Sequence, residues 1–501
     1  MSRIEGQEAQ RTVTGLKTLV QGSLLSAASV FISMAALLVT SKLFTNALDQ
    51  SQVGIFALLL VTSDFIIYAS GMGLSSSMPK LVAEANPARR KEIIGSALAG
   101  QIPLLLLVGA VVLLAQQVIP VPDTQAETSA WAGVHSCLHF LPLLFIAGGL
   151  RDLILAMLAG LDRYAFRAGG IALASLAQVV LVYLFIWRGG GQLKTLTVVM
   201  ALSYGIALIL LWTGLGVHGK PRVRWRDYLK QVRFSFPLYL NQLMTFFNQR
   251  FDTMLVSALA GVTSAAIYEM MKKLPVLVNR VMNALLVPYL PHISQLLSVS
   301  DHAGAARVLH HAVGLSAFFG YGAVLLLTAL QRPLILLLFN ADYLADAAIL
   351  GLLLTAASLA LQSGLMAKML IALGRNVPVP FVNMSTMLLT VGADIILIPY
   401  FGMVGAAAAV MAASGAGFFL LAAFTHRAGI PVKLWHCVKP MLFLLLSAAP
   451  LYYGSLGIVG RLLAPCLFVM LCLVFSVVTP RQLIAITSSI MPTVRKGSPC
   501  T

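Results

Sequence analysis

Long apolar runs alternate with short polar segments along most of the chain. Fourteen of these runs reach the length of about twenty residues that crosses a bilayer as an α-helix. The predicted spans are 19–44, 53–78, 93–117, 131–158, 169–187, 195–217, 234–260, 268–297, 309–330, 347–373, 377–399, 404–426, 440–458 and 461–480. Pro and Gly interrupt several runs, as membrane helices tolerate. The pattern predicts an all-α membrane protein of about fourteen transmembrane helices.

The composition fits a chain surrounded by lipid. Hydrophobic residues make up 59% of the 501 residues, charged residues make up 10%, and the mean hydropathy is +0.90. One soluble core could not bury that much apolar surface. The five cysteines follow no regular spacing, which indicates neither a disulfide framework nor a metal cluster. The first apolar run is longer than that of a signal peptide, so we expect it to be retained as a helix.

Basic residues are concentrated in alternate loops, and the formal net charge is +17. One set of loops carries Lys80, Arg89, Arg90, Lys91, Arg163, Arg167, Lys220, Arg222, Arg224, Arg226, Lys230, Arg233, Arg307, Arg375, Arg427, Lys433, Lys439, Arg481, Arg495 and Lys496. The opposite loops carry Lys42, Arg188, Lys194, Arg332 and Arg461, with Asp123, Glu127, Asp342 and Asp346. The positive-inside rule then predicts a multi-pass protein with both termini in the cytoplasm. No predicted helix has a basic face interleaved with aromatic residues, so the positive charge does not indicate binding to nucleic acid.

A weak internal repeat occurs at an offset of 212 residues. Gly54-Ile55-Phe56 aligns with Ala266-Ile267-Tyr268, and Met78-Pro79-Lys80 aligns with Leu290-Pro291-His292. Because six spans separate the copies, the repeat is parallel, with a pseudo-twofold axis along the membrane normal. We therefore predict two six-helix lobes, 1–218 and 219–430, followed by 431–501 with the last two spans and a cytoplasmic tail.

Charged side chains inside the spans mark the candidate site. Each costs about 2.5–3.5 kcal/mol at a helix centre, so it needs a partner, a watery cavity or a function. Polar residues cover nearly half the circumference of span seven, and span eight carries several charges on one face. The basic group suits a phosphate or carboxylate and comprises Arg250, Lys272, Lys273 and Arg280. The other cavity or coupling candidates are Asp64, Asp252, Glu269, Gln249, Asn279 and Asn283.

The same charges have a purely structural interpretation as internal ion pairs. Glu269 and Lys273 are one helical turn apart, Arg250 and Asp252 are close in sequence, and Arg151 is followed directly by Asp152. Asp64 either binds a coupling cation or pairs with Arg250 or Arg280. Both interpretations stay open at the level of sequence.

Signatures of catalysis and of resident cofactors are absent from the sequence. Gly214 to Lys220 matches the spacing of a nucleotide-binding loop, but Pro221 replaces the required hydroxyl residue. His135 and His139 have helical spacing without an apparent third metal ligand. Paired catalytic carboxylates and a nucleophile elbow are also missing. We expect no enzyme, no metal and no cofactor, with energy taken from an H⁺ or Na⁺ gradient or from substrate supply.

Short motifs in spans one to twelve resemble bacterial polysaccharide exporters. In the first half these are Asp49-Gln50-Ser51-Gln52-Val53-Gly54-Ile55-Phe56 and Gly71-Met72-Gly73-Leu74. In the second half they are Phe236-Pro237-Leu238-Tyr239, Asn248-Gln249-Arg250-Phe251-Asp252, Ala266-Ile267-Tyr268, Pro288-Tyr289-Leu290-Pro291 and Gly374-Arg375-Asn376. The chain is thus similar to the O-antigen and capsule flippase branch of the multidrug/oligosaccharidyl-lipid/polysaccharide exporter superfamily.

The resemblance implies a function and a site. Members of this branch move polyprenyl-diphosphate-linked oligosaccharides across the bacterial cytoplasmic membrane by alternating access, for the synthesis of O-antigen, capsule or exopolysaccharide. Helices one, two, seven and eight line the cavity, which places Arg250, Lys272, Lys273 and Arg280 at the lipid head group. Polysaccharide polymerase and chain-length machinery are the expected partners besides membrane lipid. This chain departs from the family in having little charge in span one apart from Lys42.

Other functions fit the same pattern less well. A lipid II flippase or an ion-coupled multidrug exporter shares the architecture, although an exporter of cationic drugs should have an acidic cavity. A membrane glycosyltransferase or polymerase usually has a long extramembrane segment, whereas the predicted outer loops here do not exceed roughly seventeen residues.

Overall fold

The computed structural model describes residues 2–118, 135, 137–216, 224–286, 289–344, 347–375, 377–432, 434–452 and 460–475, and their regular structure is helical. The α-helices are α1 Ser2–Ala47, α2 Gln50–Ser70, α3 Leu74–Ala83, α4 Pro87–Val118, α5 Leu141–Gly160, α6 Tyr164–Val182, α7 Leu193–Leu215, α8 Trp225–Ala260, α9 Val262–Leu285, α10 Tyr289–Ser298, α11 His302–Ala329, α12 Gln331–Leu338, α13 Ala347–Ala372, α14 Pro378–Arg427, α15 Leu434–Tyr452 and α16 Leu463–Val474. A π-helical turn, Tyr183–Trp187, extends α6, and a 3₁₀ turn covers Ala341–Tyr343.

The predicted membrane spans coincide with these helices, in whole or in part. Nine helical stretches of the described residues are long and apolar enough to cross a bilayer, and Val438–Ala448 and Leu463–Val474 are shorter apolar helices. Helices α8 and α9 fall outside this group because they carry the polar and charged residues that the sequence placed in spans seven and eight. The chain is a multi-pass membrane protein of the all-α class, and this prediction is confirmed.

Glycines account for two breaks in the helices, one within the predicted span 53–78 and one between the predicted spans 377–399 and 404–426. Gly73 separates α2 from α3 and has a positive φ of 73°, which a residue with a side chain rarely adopts. A Cβ atom on Gly73 would also lie 2.7 Å from the Ser235 carbonyl oxygen of α8. Gly402 breaks α14 into two helical parts with φ 55° and ψ −133°. The break at Gly73 allows α3 to approach α8.

Helix ends follow the repeat seen in the sequence. Helix α2 begins at Gln50 and α9 begins at Val262, a separation equal to the predicted offset of 212. The same separation relates Leu215, where α7 ends, to Arg427, where the second part of α14 ends. The repeat therefore extends from short motifs to one helix start and one helix end.

The chain divides into two compact units, each with its own core. Unit 1 comprises Met1–Met270, Ile335–Leu344 and Asp394–Met403, and unit 2 comprises Met271–Leu334, Ala345–Ala393 and Val404–Thr501. The unit 1 core includes Met78, Met157 and Leu211, and the unit 2 core includes Ile293, Leu309 and Met366. The predicted lobes with boundaries at 218 and 430 stay a prediction.

Lys42, near the end of α1, forms hydrogen bonds with a distant segment of unit 1 at the end of α12. The Lys42 ammonium donates a 2.7 Å hydrogen bond to the Leu336 carbonyl and a second bond to the Phe339 carbonyl. These carbonyls belong to the last turn of α12 and the residue after it, where helix carbonyls lack partners within the helix. The Gln50 amide also donates to the Asp342 carbonyl. Lys42 thus stabilises the end of α12.

Candidate functional site

The polar face of α8 packs against helices from the first third of the chain. Buried Gln231 donates from Nε2 to Ser96 Oγ of α4 at 2.8 Å and to the Ile93 carbonyl at 3.2 Å. One turn further, the Ser235 and Ser77 hydroxyl oxygens are 2.5 Å apart, with either able to donate. Buried polar groups need such partners.

The contacts continue in both directions along α8. Towards the start of the helix, Arg89 donates from Nη1 and Nη2 to Asp227 at 3.2 and 3.1 Å. Towards the middle, Gln242 donates to Ser75 Oγ and Ser76 Oγ at 3.1 and 2.7 Å. We name this row of α8 residues the polar seam; its members are Asp227, Gln231, Ser235 and Gln242. Gln242, a member of the polar stripe predicted on span seven, therefore binds protein groups, while Asp227 and Gln231 precede that span.

The first contact of the polar seam, near the start of α8, is an ion pair between Asp227 and Arg89. Asp227 has a side chain that is 9% exposed, whereas that of Arg89 is 41% exposed. The hydrogen bonds from the Arg89 guanidinium hold the pKa of Asp227 below its ordinary value, because they stabilise the carboxylate.

A charge network follows the seam in the middle of the spans. Arg250 of α8 donates from Nη1 to Glu269 Oε1 of α9 at 2.9 Å, and its Nη2 lies 3.4 Å from Asp64 Oδ2 of α2. The Thr253 hydroxyl donates to Glu269 Oε2 at 3.0 Å. Of the two roles that the sequence left open for Asp64, the structure shows pairing with Arg250.

Asp252 occupies a different environment from Arg250. It is 3% exposed and accepts hydrogen bonds from the Tyr268 hydroxyl at 2.8 Å and the Thr253 amide at 2.8 Å. Glu269 is one helical turn from Lys273 in sequence, and it also contacts Arg250 of a different helix. The network therefore joins α2, α8 and α9.

Another charged pair lies on α5. Arg151 donates from Nε and Nη2 to Asp152 Oδ1 at 2.9 and 2.7 Å, which confirms the internal pair that the sequence indicated. The guanidinium also lies over the Tyr204 ring of α7, 4.0 Å from its centroid. The contact with Tyr204 was not predicted, because 53 positions separate the two residues and only the fold brings them together.

A cluster of aromatic rings from α2 and α8 lies beside the network, and no sequence pattern predicts which of these rings meet. Phe65 of α2 lies 5.4 Å from Phe246 and 6.3 Å from Phe247, measured between ring centroids. Tyr68 lies 6.0 Å from Phe246. Phe65 and Tyr68 are each 37% exposed, whereas Phe246 is buried.

The remaining basic candidates lie on the second part of α9, in unit 2. Lys272 and Lys273 are half-buried and Arg280 is exposed, while Met271 and Leu274 between them are buried. Asn283 donates from Nδ2 to the Asn279 carbonyl at 2.9 Å. The stretch Met270–Leu285 contains these three bases and no acidic residue.

The two histidines considered as metal ligands contact an amide instead. Gln116 Nε2 lies 2.7 Å from His139 Nδ1 and donates to the His135 carbonyl at 2.8 Å. Among the described residues no group of three or more His, Cys, Asp or Glu side chains could hold a metal ion.

The chain is similar to a known protein family and to several solved structures. The sequence profile of a family described as polysaccharide biosynthesis protein matches residues 19–297. No curated protein matches the chain.

Solved structures with the same fold include three transporters or flippases. One is the lipid II flippase MurJ in an inward closed conformation, with 15% identity, a TM-score of 0.67, and coverage of 93% of this chain and 100% of that chain. Another is an inward-facing multidrug resistance MATE family transporter of the MOP superfamily, with 14% identity, a TM-score of 0.66, and coverage of 81% and 99%. A MOP superfamily transporter from Pyrococcus furiosus is 16% identical, with a TM-score of 0.54 and coverage of 82% and 96%.

At such identities these structures establish the fold, while the profile covers more than half of the chain and establishes the family. The chain therefore has the fold of MOP superfamily transporters and belongs to the polysaccharide biosynthesis protein family.

Proposed function

We propose that the chain is a flippase that translocates a polyprenyl-diphosphate-linked oligosaccharide across the bacterial cytoplasmic membrane. The observation that carries the proposal is the basic stretch of α9, in a chain of the polysaccharide biosynthesis protein family. Helix α9 carries these three bases and one acidic residue, Glu269, which also contacts Arg250. An excess of cations in one membrane helix is costly unless the cations bind an anion or face water. A diphosphate supplies that anion, with Lys272, Lys273 and Arg280 as its ligands.

Arg250 has a second role in this proposal. In the structure its charge is balanced by Glu269 and Asp64, so it becomes a ligand for a diphosphate only after exchanging a carboxylate. The Asp64 contact is the longer of the two, and the Asp64 side chain is 36% exposed. A proton taken up by Asp64 would weaken this contact and release part of the guanidinium. The guanidinium beside Asp64 favours H⁺ over Na⁺ as the coupling ion, since it occupies the place of a metal cation.

In this proposal the chain lies in the cytoplasmic membrane and works by alternating access. The chain would act as a transporter rather than an enzyme, with both termini in the cytoplasm and alternating access to the two sides of the membrane. The sugar chain would cross in a hydrated cavity while the polyprenyl tail stays in lipid. A polysaccharide polymerase would then consume the product.

The test uses Arg280, which is exposed and forms no ion pair with the described residues. Arg280→Ala should abolish surface polysaccharide in the host bacterium and cause the lipid-linked precursor to accumulate, with unchanged amounts of protein in the membrane. Arg280→Lys should restore part of the activity, because Lys retains the charge without the planar fork of donors. The matched control is Lys194→Ala, an exposed base at the start of α7. Normal polysaccharide in Arg280→Ala would overturn the role of this residue in the site.

Lipid II is a second candidate substrate, because the similarity to MurJ extends over 93% of this chain. Its polyprenyl diphosphate would bind the same cations. Complementation separates the two: growth of a bacterium depleted of its own lipid II flippase would favour lipid II, and restored surface polysaccharide in a strain lacking its oligosaccharide flippase would favour our first proposal.

A further inference from the structure

Three helices of unit 1 converge beside the charge network. A Cβ atom on Gly148 of α5 would lie 2.9 Å from Ile67 Cδ1 of α2 and 3.6 Å from Tyr204 Cε2 of α7. Asp64 lies three residues before Ile67, and Arg151 lies three residues after Gly148, so each is about one helical turn from this contact.

The exposed sides of these groups face water. The side chains of Arg151, Asp64 and Asp152 are 23%, 36% and 40% exposed, although each lies within a predicted span. A charged side chain that faces acyl chains is strongly disfavoured. Their exposed surfaces therefore line a hydrated space within unit 1, and Phe65 and Tyr68 are exposed on the same side of α2 as Asp64.

The acceptor capacity of Asp152 is only half used by the described residues. Both hydrogen bonds from Arg151 go to Oδ1, and Oδ2 receives none from them. Arg151 is in turn held by the Tyr204 ring, so the carboxylate is fixed in orientation. A fixed, half-exposed carboxylate is suited to accept hydrogen bonds from neutral hydroxyl groups.

We infer that Asp152, Tyr68, Phe65 and Asp64 form a sugar-binding subsite. The C–H face of a sugar ring stacks on exposed aromatic rings, and its hydroxyls donate to carboxylates. A second phosphate site is disfavoured here, because the three carboxylates Asp64, Asp152 and Glu269 outnumber Arg151 and Arg250. The inference rests on the proposed function, because the subsite would hold the sugar part of the proposed substrate.

The test compares two lipid probes on the full-length protein in nanodiscs. The probes are undecaprenyl diphosphate and undecaprenyl-diphosphate-linked N-acetylglucosamine, with affinity measured by thermophoresis. The wild type should bind the sugar-linked probe more tightly. Tyr68→Leu should remove this preference, a loss of roughly three- to tenfold in affinity for the sugar-linked probe, while binding of the bare diphosphate is unchanged. Tyr68→Phe should retain most of the preference because it keeps the ring.

Controls separate the subsite from a general effect on the fold. Tyr400→Leu removes an 81% exposed tyrosine of unit 1 and should leave both affinities unchanged. Asp152→Asn provides an independent variant if Tyr68→Leu does not fold, and it should also weaken the preference. Equal binding of the two probes by the wild type, or an unchanged preference in the folded variants, would overturn the subsite. Binding of neither probe would overturn the proposed function, and the subsite with it.

Discussion

At the scale of single residues, several charged side chains inside the membrane each contact more than one partner. Arg250 contacts two carboxylates, and Glu269 accepts hydrogen bonds from Arg250 and Thr253. Removing one member therefore leaves more than one group without its partner. Such groups are costly in proportion to their burial.

Arg250→Met should destabilise the protein by removing the cation between Asp64 and Glu269. We expect a loss of roughly 1–3 kcal/mol, less than for a fully buried pair, because the three side chains are 14–39% exposed. Thermal unfolding in detergent measures it. The double variant Arg250→Met/Glu269→Gln should recover part of the loss, and strict additivity of the two changes would contradict the shared pair.

Asp227 should make the stability of the protein sensitive to acid. Since Arg89 lowers the folded-state pKa of Asp227, the stabilisation is complete above about pH 4, the ordinary pKa of an aspartate, and is lost as the pH falls through the folded-state value. The unfolding midpoint of Asp227→Asn should therefore be lower than that of the wild type at neutral pH, with the difference shrinking in acid. Asp162→Asn, at an exposed turn residue, is the control. A constant difference between Asp227→Asn and the wild type at every pH would exclude this linkage.

At the scale of helices, α8 is fitted closely to α3 and α4. Tyr228 packs over Gly100 of α4, where a Cβ atom would lie 2.3 Å from Tyr228 Cδ2. The polar seam follows on the same side of α8. Small residues and hydrogen bonds are the means by which membrane helices associate, since lipid supplies little hydrophobic driving force between them.

Gly100→Ala should lower the unfolding midpoint, because the added methyl displaces the Tyr228 ring. Overpacking of this kind costs about 1–3 kcal/mol. Gly205→Ala in α7 is the matched control: no atom lies within 4 Å of its Cβ position, and we expect a gain of about 0.4–1 kcal/mol from reduced freedom of the unfolded chain. The idea fails if both variants shift the midpoint equally.

The helices were predictable from the sequence, whereas most of their contacts were not. Apolar length alone located the spans, and adjacency alone indicated the Arg151–Asp152 pair. The polar character of span seven was visible, but the polar seam was not: its partners Ser77, Ser96 and Arg89 lie more than 130 positions away, and no local pattern specifies which distant helix meets which face. Likewise Glu269 had an obvious local partner in Lys273, and the fold adds Arg250.

At the scale of the whole molecule, the polar seam sets a condition for transport. Its links are hydrogen bonds and one ion pair at a surface, which water can replace at little net cost. Tight apolar packing would be harder to separate. In the proposed mechanism of alternating access, α8 would therefore separate from α3 and α4 along this seam.

A disulfide across the seam tests this opening. The Ser77 and Ser235 oxygens are 2.5 Å apart, close to the bond length of about 2.05 Å in a disulfide. Ser77→Cys/Ser235→Cys should stop translocation in proteoliposomes after oxidation, and a reductant should restore it. Each single variant should transport under both conditions, with formation of the bond checked by mass spectrometry. Undiminished transport by the oxidised double variant would show that these helices do not separate.

The tie between Lys42 and the end of α12 has a consequence for how the protein is made. The ammonium and the Leu336 carbonyl are 294 positions apart, so the ribosome needs roughly 15–60 seconds after making the first helix to deliver its partner. During that interval the Lys42 ammonium lacks these two carbonyl acceptors. Final docking of the earliest helix therefore belongs to the late stages of biogenesis, when most of the chain has already left the translocon.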